Sequence, residues 1–203
     1  MTQTQHPTKL LTFEEFLAYD DVYDGLRLRT DTRYELVDGK LVAMPTESQE
    51  NCDIAKFLLF ELAKYFPITL LAYKDIEVEV SGRRATCRLP DLVVHTEESK
   101  AALIGSHRNL ITRDMPPPAL VVEVVSPGTE NRSRDYRYKR TEYAARGITE
   151  YWIVDPVLKQ ITICKWVEGQ YEDAVFKGTA TVASDVVPDW KLIVEQVFAV
   201  ANQ

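Results

Sequence analysis

An α/β fold, a mixed sheet flanked by helices, is what three stretches of this 203-residue chain predict. The first, residues 120–156, reads LVVEVVSPGTENRSRDYRYKRTEYAARGITEYWIVDP. Its apolar run, the turn signal Ser126-Pro127-Gly128, a basic tyrosine-rich segment and a second apolar run at 151–154 spell strand, turn, helix, strand. The second, YELVDGKLVAM at 34–44, is two short strands around Asp38-Gly39, the strongest local hairpin signal. The third, residues 48–66, places Ile54, Ala55, Leu58, Leu59, Leu62, Ala63 and Phe66 at helical spacing and stops at Pro67.

In chain order, residues 1–10 read as a flexible N-terminus and 11–203 as a single domain. Thr12 opens a short helix over 12–17, with Glu15 three residues on to complete a capping box. Residues 20–32 are polar and glycine-containing, a loop. After the hairpin and the helix come strands at 69–73 and 75–80, the latter alternating Ile76, Val78 and Val80 with Glu77 and Glu79. Residues 81–84 turn the chain, and 88–94 form the next strand. Residues 97–118 are a long polar connection ending in three prolines. The basic helix starts between Asn131 and Ser133 and ends with Gly147 just beyond its last turn. Residues 160–167 and 171–176 pair around Glu168-Gly169, and 194–200 form a closing helix.

Composition narrows the function classes. Hydrophobic residues make up 45% and charged residues 27%, an ordinary globular balance. No apolar run is long enough to span a bilayer and the start carries no signal-peptide core, so no membrane partner is expected and the cytoplasm is the expected compartment. Cys52, Cys87 and Cys164 lie far apart, as do His6, His95 and His107, which speaks against a disulfide frame and a zinc knot. A net charge of −7 argues against coating nucleic acid by bulk attraction. A local basic patch is present all the same: Arg132, Arg134, Arg137, Lys139, Arg140 and Arg146, read either as a solvated helix face or as a surface for phosphates.

The chemical signal is Glu123, a carboxylate inside an apolar strand, where an ionised group needs a metal or a cation beside it. Asp91 follows Pro90 at the entry to another apolar strand. Two carboxylates on neighbouring strands are hard oxygen donors suited to Mg²⁺ or Mn²⁺. Lys139 completes the set by geometry. From Glu123 the strand runs about 10 Å to its end, and the helix returns about 10 Å from Arg132 to Lys139. Lys139 is thus level with Glu123, with Tyr136 and Tyr143 beside it at helical spacing. The plainer readings are a strand-edge glutamate paired with an arginine, a surface Pro-Asp strand entry and a solvated lysine. His95, just past the strand, has no assigned role, although a histidine there could assist proton transfer.

Pro90-Asp91 followed at a distance by Glu123-Val124-Val125 resembles the PD-(D/E)XK nuclease pattern. The run SPGTENRSRDYRYKRTEYAARGITEYWIVDP, with YELVDGKLVAM upstream, resembles the Uma-two family of bacterial restriction-endonuclease-like proteins over residues 12–198. That resemblance implies a restriction-endonuclease-like core, a divalent metal and hydrolysis of phosphodiester bonds. It implies Asp91 and Glu123 as metal ligands and Lys139 as a lysine displaced onto the next helix. Glu35 matches a position where the family shows an acid, a further ligand or a group just behind the ligands. Val125 departs from the pattern, standing where the lysine of the (D/E)XK triplet belongs.

The expected function is therefore a Mg²⁺- or Mn²⁺-dependent endonuclease acting on nucleic acid, DNA first. Lys139 would orient the attacking water or steady charge on the phosphate. Val125 keeps open a catalytically silent module that retains the fold to bind nucleic acid or protein. The acidic composition keeps open a hydrolase of small phosphate esters. A homodimer facing two strands is compatible with the fold, though no residue demonstrates it.

Overall fold

The computed structural model describes residues 10–18 and 33–200; the loop expected over 20–32, and the N-terminus ahead of residue 10, lie outside them. Thr12 caps α1, Phe13–Leu17, through the expected box with Glu15. Strands β1, Tyr34–Val37, and β2, Lys40–Ala43, form the expected hairpin. Asp38 and Gly39 turn it at φ of 49° and 81°, the left-handed pair that matches strand twist. Helix α2, Gln49–Leu62, is capped by the Ser48 hydroxyl, which accepts from the Asn51 amide. Then come β3, Leu71–Tyr73, β4, Glu77–Ser81, β5, Ala85–Arg88, and β6, Leu92–Val94.

The single strand expected over 88–94 is two strands. Leu89-Pro90 breaks it, because proline has no N–H to give the ladder. The break also divides the sheet. β5 joins a five-stranded sheet of order β2-β1-β5-β4-β7, whereas β6 joins a six-stranded one, β11-β10-β9-β8-β6-β3. The remaining members are β7, Leu110–Ile111, β8, Leu120–Val124, β9, Glu150–Asp155, β10, Gln160–Val167, and β11, Gln170–Lys177. The polar connection over 97–118 is more structured than expected: it holds α3, Glu97–Ala101, as well as β7, which pairs parallel with β4.

The basic helix begins at Thr129, earlier than expected. Helix α4, Thr129–Ser133, runs into a π-helical turn, Arg134–Lys139, and on into α5, Arg140–Ala145. Gly147 ends it at φ 75°, as its position suggested. This helix crosses from β8 to β9, which pair in parallel. The closing helix α6 is Val194–Ala199.

Alternation along β8 sorts the core. Leu120, Val122 and Val124 face α2 and α6 with Leu58, Leu62, Trp152 and Phe198. Val121 and Val125 face the other way, toward Ile76, Val78, Tyr143 and Tyr151. A side-chain period of two puts Glu123 on that second face, between the sheet and the basic helix.

Candidate active site

Across β6 and β8 the register pairs Leu92 with Val122 in antiparallel order, so one residue further Asp91 stands opposite Glu123. Residues directly opposite in such a pair project to the same face. The two carboxylates that the sequence singles out therefore converge instead of dividing across the sheet. Asp91 is held firmly: its Oδ2 accepts from the Val124 amide at 2.7 Å, and its Oδ1 lies 3.2 Å from Lys74 Nζ.

Glu123 is the more deeply buried acid. Its Oε1 meets Lys139 Nζ at 2.8 Å and accepts from the Tyr143 hydroxyl at 2.9 Å. Burial pushes its carboxyl up to about 8, Lys139 pulling against this and the charges of Asp91, Asp135 and Glu35 adding to it. Burial also pushes Tyr143 well above its usual range, so it stays a phenol and a donor.

Lys139 sits where the strand-and-helix arithmetic places it. Its side chain is 1% exposed and its ammonium faces three carboxylates: Glu123 at 2.8 Å, Glu35 at 3.4 Å and Asp135 at 3.6 Å. Desolvation disfavours its charge, but Glu123, Glu35 and Asp135 outweigh that and hold its pKa above the normal lysine value. Lys139 closes the π-turn, a type of helix irregularity found frequently at functional sites. The Tyr151 hydroxyl donates to the Asp135 carbonyl within that turn.

Glu35 lies immediately behind this cluster. Its Oε2 accepts from Arg88 at 2.9 Å, and its Oε1 from the Leu89 amide. Burial would raise its carboxyl, but Lys139 and Arg88 win and hold it at about 2. Arg88 in turn forms a two-pronged pair with Glu142 at 2.8 and 2.9 Å. A chain of alternating charge thus runs from Glu142 through Arg88, Glu35 and Lys139 to Glu123.

Several expectations divide here. Tyr143 joins the site, while Tyr136 turns away to donate to Asp155 at 3.1 Å. His95 stands four residues past Asp91, beyond the opposite end of β6, with its Nδ1 3.0 Å from Ser99 Oγ. The basic patch is largely spent internally. Arg132 pairs with Asp155, Arg134 with Asp135 and Arg140 with Asp173, while Arg146 donates to the Thr112 and Met115 carbonyls. Arg137 is the patch residue left exposed. Sequence reading missed Lys74, Glu47, Asp135 and Arg88, none of which carries a local signal.

Among the described residues, no group of three or more His, Cys, Asp or Glu side chains gathers in metal-holding geometry. Asp91 and Glu123 supply two carboxylates, and Mg²⁺ is commonly held by only one or two, keeping waters and substrate oxygens for the rest. The donor chemistry fits a hard divalent cation. Among the described residues no helix is long and apolar enough to cross a membrane.

No curated protein matches the chain. A crystal structure of "a putative nuclease belonging to DUF820" from Anabaena variabilis shares its fold, with a TM-score of 0.67 at 15% identity, covering 94% of this chain and 99% of that one. A family model, Uma2, described as "Putative restriction endonuclease", matches residues 13–195. With its strands, helix crossover and acid pair all inside that span, the chain belongs to the Uma2 family.

Proposed function

We propose that this protein is a nuclease that hydrolyses phosphodiester bonds of nucleic acid, DNA in the first instance, with Asp91 and Glu123 holding Mg²⁺ or Mn²⁺. The observation that carries the reading is the acid pair opposed across β6 and β8 on one face, with Lys139 2.8 Å from Glu123. A divalent ion held there would lower the pKa of a neighbouring water and offset charge growing on the phosphate. In hydrolysis the water oxygen bonds to phosphorus, the ester P–O bond breaks and the departing oxygen takes up a proton. Asp91, tied to the Val124 amide, orients one side of the cation site. Glu123, steered by Tyr143 and Lys139, orients the other. Lys139 also keeps a carboxylate at Glu123 accessible against burial, which favours the neutral acid.

The test is incubation of the full chain with single- and double-stranded DNA and RNA plus Mg²⁺ or Mn²⁺, beside Glu123→Gln and Asp91→Asn. Cleavage that requires the ion and is lost in both variants supports the reading; cleavage that persists in Glu123→Gln refutes it. A binding module without catalysis is the second reading, favoured by Val125 at the triplet-lysine position. It requires nucleic-acid binding that ignores both chelators and Glu123→Gln. Turnover of simple phosphate esters in place of nucleic acid would redirect the substrate assignment. The same proposal includes the cytoplasm, which keeps unpaired cysteines such as Cys52, Cys87 and Cys164 reduced. It also includes a homodimer, which light scattering would test.

A further inference from the structure

Lys139, the lysine that the sequence points to, is sealed away from substrate among acids. An ammonium carries three donors, and those of Lys139 face three carboxylates at 1% exposure. A second lysine stands on the other side of the acid pair. β3 pairs Tyr73 with Leu92, so one residue on, Lys74 is the cross-strand neighbour of Asp91, and its amide donates to the Asp91 carbonyl at 3.1 Å. Lys74, just past β3, and Asp91, just before β6, thus lie beside each other and next to Glu123 in β8, in the sheet order β8-β6-β3.

Lys74 differs from Lys139 in each respect that contact with a substrate requires. Among the described residues its ammonium has two carboxylate partners, Asp91 at 3.2 Å and Glu47, against the three that surround Lys139. Its side chain is 11% exposed and that of Glu47 22%, so this is the side of the acid pair that opens to solvent. The backbone at Lys74 has φ 57°, a conformation that costs energy for a side-chain-bearing residue and that clusters at functional sites. Arg33 clamps it by donating to the Lys74 carbonyl, and it adds a second cation to the same rim.

We propose that Lys74 is the catalytic lysine of the site: its ammonium meets a non-bridging oxygen of the scissile phosphate next to Asp91, while Lys139 acts only through Glu123. This rests on the nuclease reading above. An ion held by Asp91 would share that carboxylate with Lys74, so the Lys74 ammonium would be tied less closely to it. The role requires no proton to leave the lysine, because the positive charge opposes the negative charge that builds as the new P–O bond forms.

The experiment uses the full chain with a duplex DNA substrate and Mn²⁺, comparing wild type, Lys74→Gln, Lys74→Arg and Glu123→Gln. Mn²⁺ binding is measured by calorimetry without DNA, single-turnover cleavage at saturating Mn²⁺, and folding by thermal melting. The expected result for Lys74→Gln is unchanged or tighter Mn²⁺ binding and a wild-type melt, with cleavage slowed by about 10²–10³-fold and partly restored in Lys74→Arg. Wild-type cleavage by Lys74→Gln alongside inactive Glu123→Gln overturns the assignment to Lys74 and leaves the nuclease reading intact. Loss of Mn²⁺ binding and of the melt together in Lys74→Gln shows a structural lysine and overturns it as well. Failure of the wild type to cleave any nucleic acid removes both.

Discussion

Lys139 Nζ lies 2.8 Å from Glu123 Oε1, an ion pair between the basic helix and the strand that precedes it. It sets a positive charge beside the strand acid, although Val125, two residues further on, carries none. Val125 points to the same face as Glu123 and fills apolar space beside Tyr143 and Tyr151. The positive charge comes from the helix packed over that face.

Removing the ammonium leaves Glu123, Glu35 and Asp135 buried together. Lys139→Met should cost about 3–5 kcal/mol, the usual loss when one partner of a buried pair is deleted, read by urea denaturation. Adding Val125→Lys should recover part of that loss, whereas Val125→Lys alone should destabilise by placing two ammonium groups at one carboxylate. Simple additivity of the two changes would show that the lysines do not share Glu123.

Cation binding should depend on pH through Glu123. Its carboxyl is raised to about 8, so an incoming cation must displace a proton from the share of Glu123 that is protonated near neutral pH. Mn²⁺ affinity should therefore climb between about pH 6.5 and 8 and level off above. Glu123→Gln should abolish the slope. A pH-independent affinity in the wild type would contradict the role of Glu123 as a ligand.

Glu35 is shifted in the opposite direction. Its carboxyl is depressed from 4.5 to about 2, so its stabilisation is complete above pH 4.5 and is lost as the pH falls through about 2. Glu35→Gln should lower stability at pH 7 by about 3 kcal/mol, and the gap to wild type should close toward pH 2. A gap that is constant with pH would mean that charge is not what Glu35 contributes.

His95 is buried with Nε2 unpartnered among the described residues, and its pKa falls from 6.5 to about 4 through burial, with Lys100 adding to the effect. The unfolded chain binds a proton first, so stability should decline as pH drops from 6.5 to 4. His95→Gln should flatten that window in thermal melts while leaving the response of Glu35 below it unchanged.

Much of the fold is legible in local pattern. The Asp38-Gly39 hairpin, the capped helix ahead of Pro67, the strand–helix–strand run and the Glu168-Gly169 turn are written in residues close along the chain. Two things were not legible. Pro90 is a weak cue by itself, and only the partners of β5 and β6 reveal that it divides the chain between two sheets. The arginines of the basic helix look like a surface patch until Asp155, Asp135 and Asp173 prove to be their partners.

The residues alone determined the α/β class, the apolar strand that carries Glu123 and, through the rise of strand and helix, the level at which Lys139 returns to it. These follow from spacings of a few residues, where covalent geometry leaves little freedom. Only the tertiary structure decided that Asp91 shares the face of Glu123, that Lys139 is sealed among three acids and that Lys74 stands at the open side. Those facts depend on strand register and on charges that meet from distant parts of the chain, Arg88 and Glu35 being 53 residues apart. A one-residue slip in pairing would send each of those strand side chains to the opposite face, and no local pattern encodes that choice.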